Sequence, residues 1–334
     1  MTGIFTYRNF SLADTPPLDG KVAVITGGSA EITKQLLIHR IHKVYVIGRS
    51  QEKYEIALRE WRELDESNVK RVEFLQCDLA DIRAVQDVAR RIKEKTDRLD
   101  ILFCNAGLPL KRAYSLSPQS IEIIFAVNTV GHHILTTLLL PLLKSTTSRF
   151  KTNDARIILT TSSLHSLCRE LDLSLLTSPT RTKNSLYDGI WRYARSKVGN
   201  ILFTRELSRR LLLDRSDPRS RDVFVNCFFP GNIATEQMDV WKEYFGPVLG
   251  WLFKMVFAVV GQSTRDAAAG GLYLAASEEI VEDGDGVRGE YFIPIAERCE
   301  TSELAGDMEL AGELWRWTEN KAAETLGEGW QDVD

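Results

Sequence analysis

The chain has 334 residues, a formal net charge of −4 and a hydrophobic fraction of 44%, which excludes a disordered, collagen-like or coiled-coil protein and requires a sizeable packed core. With 42 basic against 46 acidic residues there is no cationic footprint for a phosphate backbone, so nucleic acid is not expected as a partner. Cys77, Cys104, Cys168, Cys227 and Cys299 are odd in number and scattered, which points to reduced, mostly buried thiols, and no His/Cys cluster has metal-ligand spacing, so no metal is expected.

Residues 1–19, with Pro16 and Pro17, read as an arm that lacks the basic start and apolar run of a secretory signal, so the expected location is cytoplasmic. Residues 21–26 (KVAVIT) then form a short apolar run that ends at Gly27 and Gly28, as a buried parallel strand should. After a helical stretch comes strand 43–47, helix 51–66, strand 71–76, helix 81–96, strand 99–104, helix 118–143 and strand 155–161. Helix 187–213, strand 222–228, helix 264–277 and strand 290–293 close the series. Strands that alternate with helices of ten or more residues imply parallel βαβ units, hence an α/β fold with a doubly wound, Rossmann-type parallel sheet and helices on both faces. One domain over 20–299 is expected, followed by an acidic tail or helix, 300–334, whose Leu310, Leu314, Trp315 and Trp317 suit covering a groove or a sheet edge. The longest apolar stretch, Val248 to Gly261, contains Lys254 and falls short of the roughly 20 residues that cross a bilayer. No transmembrane segment is expected; contact with a membrane surface stays open.

In such a sheet the ligand site lies outside the carboxyl ends of the strands. The polar residues there are Thr26, Gly27, Gly28 and Ser29; Arg49 and Ser50; Asp78; Asn105, Ala106 and Gly107; Thr161, Ser162 and Ser163; and Pro230, Gly231 and Asn232. Tyr193 and Lys197 stand four apart on the predicted helix 187–213, so they share a face, where an ammonium lowers a phenol's pKa and prepares it to pass a proton. Taken alone, the pair means a half-buried ring beside a solvated ammonium. By residue type Ser162 and Ser163 are near-equal candidates to hold a substrate oxygen, and either would otherwise be a turn or N-cap residue. His165 reads as incidental.

With NAG at 105–107, Asn128 within a helix, a serine after a strand, YARSK at 193–197 and PGNIAT at 230–235, the chain resembles the short-chain dehydrogenase/reductase family over about residues 20–295. TSSLH at 161–165 and the run 196–202 look nearest its retinol-dehydrogenase-like and fungal reductase branch. The resemblance implies a catalytic set of Asn128, Ser163, Tyr193 and Lys197, in which Asn128 orders a water for proton relay and Lys197 also holds the nicotinamide ribose. It implies cofactor contacts from Thr26, Gly27, Ser29, Asn105, Ala106, Gly107, Tyr193 and Lys197, from Asp78 to the adenine, and from Pro230, Gly231, Ile233 and Thr235 on the nicotinamide side. A Rossmann enzyme that prefers NAD places an acidic residue after its second strand; Arg49 stands there instead, and a guanidinium suits the 2′-phosphate of NADP.

The family's TGxxxGxG loop is not intact. TGGSAEIT puts Glu31 and Thr33 where glycines belong, and Thr26 and Val44 are only 18 apart, where roughly 21 is usual for the turn and helix. A Gly-Ile-Gly segment missing between Ala30 and Glu31 accounts for both. Loss of two charge-assisted bonds to pyrophosphate, at roughly 1.5–3 kcal/mol each, would weaken the dinucleotide by about 10²–10⁴. Two expectations follow. One is an NADPH-dependent carbonyl reductase or alcohol dehydrogenase in which NADP is bound weakly. The other is a reductase-fold protein without dinucleotide that acts as an isomerase, dehydratase, cyclase or binding protein.

The same resemblance implies that segments 164–192 and 237–262 form the substrate lid. Trp241, Tyr244, Phe245, Trp251, Phe253 and Phe257 in the second fit a bulky apolar molecule of polyketide, terpenoid or steroid-like kind, as made in secondary metabolism. The equal alternative is a helix packed on the core. Short-chain reductases commonly pair through long helices such as 187–213, so a homodimer is also expected.

Overall fold

In a computed structural model, the structure describes residues 9–27, 30–150, 152, 154–177, 186–233, 246, 261–282 and 286–332. The strands are β1 (Val22–Thr26), β2 (Lys43–Gly48), β3 (Val72–Gln76), β4 (Ile101–Cys104), β5 (Ala155–Thr160), β6 (Val223–Phe228), β7 (Tyr291–Ile293) and β8 (Glu297–Cys299). They form one sheet in the order β3-β2-β1-β4-β5-β6-β7-β8. Every neighbouring pair is parallel except β7 with β8. The order reverses between β1 and β4, so a crevice opens where β1 and β4 end. β8 has no counterpart in the predicted elements, because Glu-Arg-Cys is too short and polar to read as a strand and forms only because the chain folds back on β7.

The main helices are α1 (Ala30–Ile38), α2 (Gln51–Leu64), α3 (Ile82–Lys95), α4 (Gly131–Arg149), α5 (Leu186–Leu213), α6 (Thr264–Ala276) and α7 (Met308–Leu326). Side chains fix their starts: the Ser50 hydroxyl accepts from Lys53 N–H at the head of α2, Asp81 from Arg83 N–H at α3, and Asp307 from Glu309 and Leu310 N–H at α7, each cap contributing about 1 kcal/mol. Alternate residues of each strand face opposite ways. Thus Val22 and Val24 enter the core shared with α3, α4 and α5, while Ala23 and Ile25 enter the core shared with α1 and α6.

The helical segment Ile123–Arg149 is long and apolar enough to cross a membrane by length and composition, and 83% of its most apolar window is buried inside the protein. Burial on all sides of a core helix explains that apolarity. The tail folds into α7, which packs along α5 and also meets α3. Trp315 stacks on Phe203 with centroids 5.6 Å apart, and His133 Nε2 lies 3.0 Å from Glu319 Oε1. The tail therefore covers a helix face, and pairing of two copies through that part of α5 would have to displace it.

Candidate active site

Thr26, at the end of β1, ties the crevice together. Its Oγ1 accepts from Asn105 N–H at 2.9 Å and Ala106 N–H at 3.0 Å, and lies 2.9 Å from His132 Nε2. His132 Nδ1 lies 2.9 Å from the Asn128 carbonyl, which only accepts, so the neutral ring carries its proton on Nδ1 and Nε2 is an acceptor for the Thr26 hydroxyl, whose other acceptor is the Phe103 carbonyl at 3.3 Å. Burial pushes His132 down to about 4, against the Asn128 hydrogen bond. Asn105 adds a second tie, its Oδ1 accepting from Thr160 Oγ1 at 3.1 Å. The ends of β1, β4 and β5 are thereby locked to one another.

Gly27 has φ +80°, and a Cβ there would sit 2.6 Å from Ala106 Cα. Only glycine lets the two loops come this close. Ser29 lies outside the described residues. α1 begins at Ala30 and carries Glu31 in its first turn, where the carboxylate accepts from Gln35 Nε2 at 2.8 Å.

A cavity of about 580 Å³ runs along the strand ends from Arg49, Ser50 and Lys53 past Asp78 to Asn105, Ala106 and Gly107. Tyr54, Trp61 and Phe74 form an aromatic wall, with Tyr54 and Phe74 stacked at 4.9 Å. Arg49 is exposed at the rim. Asp78 lines the cavity and also caps its own turn through Ala80 N–H at 3.0 Å. Lys53 and the aromatic wall were not singled out by the sequence; the spacing of Lys53, Tyr54 and Trp61 on α2 after Arg49 was the available signal, while Phe74 comes from β3.

At the inner end, Gly107 touches the remaining groups: a Cβ placed on it would lie 3.5 Å from Asn128 Oδ1 and 3.6 Å from Lys197 Nζ. Asn128 sits in a π-helical turn, Ala126–Val130, a feature frequent at functional sites. Its amide clasps the loop after β4, accepting from Leu108 N–H at 2.7 Å and donating to Leu108 O at 3.2 Å and Ser196 Oγ at 3.0 Å. Lys197 is buried, donates to Thr160 O at 3.2 Å, and lies 5.4 Å from the centroid of the Tyr193 ring. Asn200 donates to that same carbonyl at 3.0 Å.

Three expectations are corrected. The phenol of Tyr193 is not lowered: burial pushes it up to about 12, opposed by a hydrogen bond with the Ser162 side chain, and burial brings Lys197 down to about 8. Desolvation disfavours both charged forms, and it outweighs the attraction anticipated from the i, i+4 spacing. The serine beside Tyr193 is Ser162 and not Ser163. β5 ends at Thr160, one residue earlier than the sequence suggested, so Ser162 is buried and caps the following 3₁₀ turn, while Ser163 is exposed. Ser162→Ala is accordingly expected to lower kcat by about 10² through loss of one preorganised donor, and Ser163→Ala to leave it within about twofold, in steady-state turnover. His165 is not incidental either. It is buried, donates from Nδ1 to Ser162 O at 2.8 Å and accepts from Ser302 N–H at 3.3 Å, so it ties the serine turn to the tail.

On the far side, Gly231 has φ +98°, Asn232 N–H donates to Gln262 Oε1 at 2.8 Å, and Ile233 bridges to Gln262. Pro230, Gly231 and Ile233 thus lie just beyond the end of β6, held by a residue the sequence reading missed. Thr235 and nearly all of 237–262 lie outside the described residues, as do 178–185 of the other lid segment. Among the described residues no group of three His, Cys, Asp or Glu could hold a metal ion.

The short chain dehydrogenase family model matches residues 21–169. The chain is 31% identical over 313 residues to short-chain dehydrogenase/reductase drtF of Aspergillus calidoustus, covering 92% of this chain and 95% of that one. It belongs to the short-chain dehydrogenase/reductase family. Retinol dehydrogenase 13 of Mus musculus is another relative, 31% identical over 301 residues, with 89% of this chain and 82% of that one covered. Two solved short-chain dehydrogenases complexed with NADP share the fold. That from Shigella flexneri gives a TM-score of 0.58 at 20% identity over 84% of this chain and 99% of its own, and that from Burkholderia cenocepacia 0.57 at 24% over 84% and 98%. Membership of this oxidoreductase family makes the strand-end crevice, with Tyr193 and Lys197 at its inner end, the candidate active site.

Proposed function

We propose that this member of the family is an NADPH-dependent carbonyl reductase or alcohol dehydrogenase that acts in the cytoplasm on a bulky apolar small molecule of secondary-metabolite kind. One observation carries the reading: Lys197 Nζ lies against Gly107, which lines the cavity whose rim holds Arg49 and Lys53, and Lys197 lies 5.4 Å from the centroid of the Tyr193 ring, whose phenol shares a hydrogen bond with Ser162. The chain's own groups fit a dinucleotide. Gly27 lines the cavity at the end of β1, and two cations, Arg49 just after β2 and Lys53 in the first turn of α2, line it as well and suit a 2′-phosphate. The NADP complexes of the two solved neighbours support the same choice.

When bound, NADPH supplies a hydride to the carbonyl carbon. Ser162 donates a hydrogen bond to the substrate oxygen, and Tyr193, placed beside it, gives that oxygen its proton. Lys197, anchored on Thr160 O, holds positive charge under the phenol and so favours its passage through the anionic state. Asn128 holds Leu108 and Ser196 in place, which fixes the wall against which substrate and ring must lie. Glu31 at the head of α1 opposes a diphosphate, in keeping with weak binding.

A titration that follows nicotinamide fluorescence, combined with oxidation of NADPH by apolar aldehydes and quinones, tests the reading. Saturable binding with turnover is expected. Absence of both would favour a cofactor-independent isomerase, dehydratase, cyclase or binding protein. Arg49→Glu is expected to weaken NADPH by about 10–100-fold, the loss of one charge-assisted contact, with little change for NADH; equal weakening of both would remove Arg49 from the 2′-phosphate.

A further inference from the structure

Arg192, immediately before Tyr193, is 1% exposed and lies among groups that use its whole guanidinium. Nε donates to Asp188 Oδ2 at 2.8 Å. Nη1 donates to Glu122 Oε1 at 3.1 Å and Ala113 O at 3.3 Å, and Nη2 to Lys111 O at 2.7 Å and Arg112 O at 3.2 Å. A guanidinium has five N–H donors in a fixed planar fork, and here all five meet an acceptor. Three successive carbonyls of the loop after β4, one carboxylate of α5 and one carboxylate ahead of the π-helical turn are held by a single side chain. Lysine has three donors on one point and cannot span that set.

We infer that Arg192 is a positioning residue for Tyr193: it clamps the start of α5 to the loop after β4, so that the phenol keeps a fixed place relative to Gly107 and the bound substrate. Two fastenings hold that loop. Asn128 grips it at Leu108, close to Lys197, and Arg192 grips it at residues 111–113. Glu122 serves both, since its Oε2 accepts from Phe125 N–H at 3.0 Å at the turn that leads into Asn128. A change in Arg192 therefore moves the phenol, the loop and the Asn128 turn relative to one another. A misplacement of about 1 Å at a reacting group is enough to cost about 10²-fold in rate.

The inference rests on the reading of Tyr193 as the proton donor, and two measurements separate the two. Hydrogen exchange on the full-length protein needs no turnover. Arg192→Lys is expected to raise exchange about tenfold at residues 110–117 and 187–197, with α7 unchanged; unchanged exchange at both segments overturns the clamp. Should that variant fail to fold, Glu122→Gln and Asp188→Asn each remove one charge but keep an acceptor, and are expected to raise exchange at the same two segments. In turnover of NADPH with an apolar aldehyde, Arg192→Lys is expected to lower kcat about tenfold or more in the wild-type background and less than about twofold in the Tyr193→Phe background, with NADPH affinity unchanged. Equal losses in both backgrounds make Arg192 a general structural residue and overturn the positioning role. A wild-type protein that neither binds NADPH nor reduces carbonyls removes the oxidoreductase reading, and the role toward Tyr193 with it, whatever the exchange shows.

Discussion

Tyr193→Phe is expected to lower kcat for carbonyl reduction by about 10²–10⁴, the usual contribution of one positioned general acid, with NADPH affinity and thermal stability nearly unchanged. The argument is geometric. The substitution removes only the hydroxyl that shares a hydrogen bond with Ser162; the ring and its contact with Lys197 remain. The pH dependence of the two directions follows from the same environment. Burial holds the free phenol up at about 12, so at neutral pH the site contains the proton that reduction consumes. Alcohol oxidation needs the phenolate, and its rate is expected to rise with pH over the range in which reduction is flat. Lys197, brought down to about 8, loses its charge first as pH is raised, so a basic limb of reduction near that pH is expected to vanish in Lys197→Met. A Tyr193→Phe variant that keeps full kcat would end the assignment of the acid.

Acid should destabilise the protein through His132 before the carboxylates titrate. The ring is fully buried with its Nε2 accepting from Thr26 and its Nδ1 donating to Asn128 O, so protonation would force a second donor against the Thr26 hydroxyl. The folded pKa is lowered to about 4 from an ordinary 6.5. A group with a depressed folded pKa contributes its full stability above the unfolded pKa and loses it as pH falls toward the folded one. Between about pH 6.5 and pH 4 the unfolded chain takes up a proton that the folded chain refuses, a loss on the order of 3 kcal/mol. His133 and His165 are lowered by burial as well and add to the same slope. Urea unfolding as a function of pH in the wild type and in His132→Asn, which keeps a donor for Asn128 O, measures the term. The variant is expected to show a shallower fall between pH 6.5 and pH 4; identical slopes would remove His132 as its source.

The sheet was legible in the sequence because its central strands β1 and β4 are buried on both faces and read as apolar runs, and the other parallel strands are mostly apolar as well. β1 to β6 fall within one or two residues of their predicted limits. The clustering of Thr26, Asn105, Gly107 and Lys197 was legible too, since a doubly wound sheet brings its strand ends to one edge. Which serine meets the phenol was not. The resemblance named Ser163, but both serines lie past the end of β5, and the turn that buries Ser162 and exposes Ser163 is set by packing that residue type does not record. The sign of the shift at Tyr193 was hidden for a similar reason: spacing on a helix shows that an ammonium is near, while the desolvation that prevails depends on what packs over both groups.

By itself the sequence determined the parallel α/β sheet, the edge at which its chemistry gathers and the residue types available there, because these follow from periodicity and from the connections that right-handed crossovers allow. Only the tertiary structure decided how those residues are held. The five acceptors around Arg192 come from α5, the loop after β4 and Glu122; His165 reaches Ser302 in the tail; and α7 covers part of α5. Such contacts, with that of His133 to Glu319, join residues up to 186 positions apart. They are set by which surfaces the packed sheet and helices bring together, and local pattern carries no record of that.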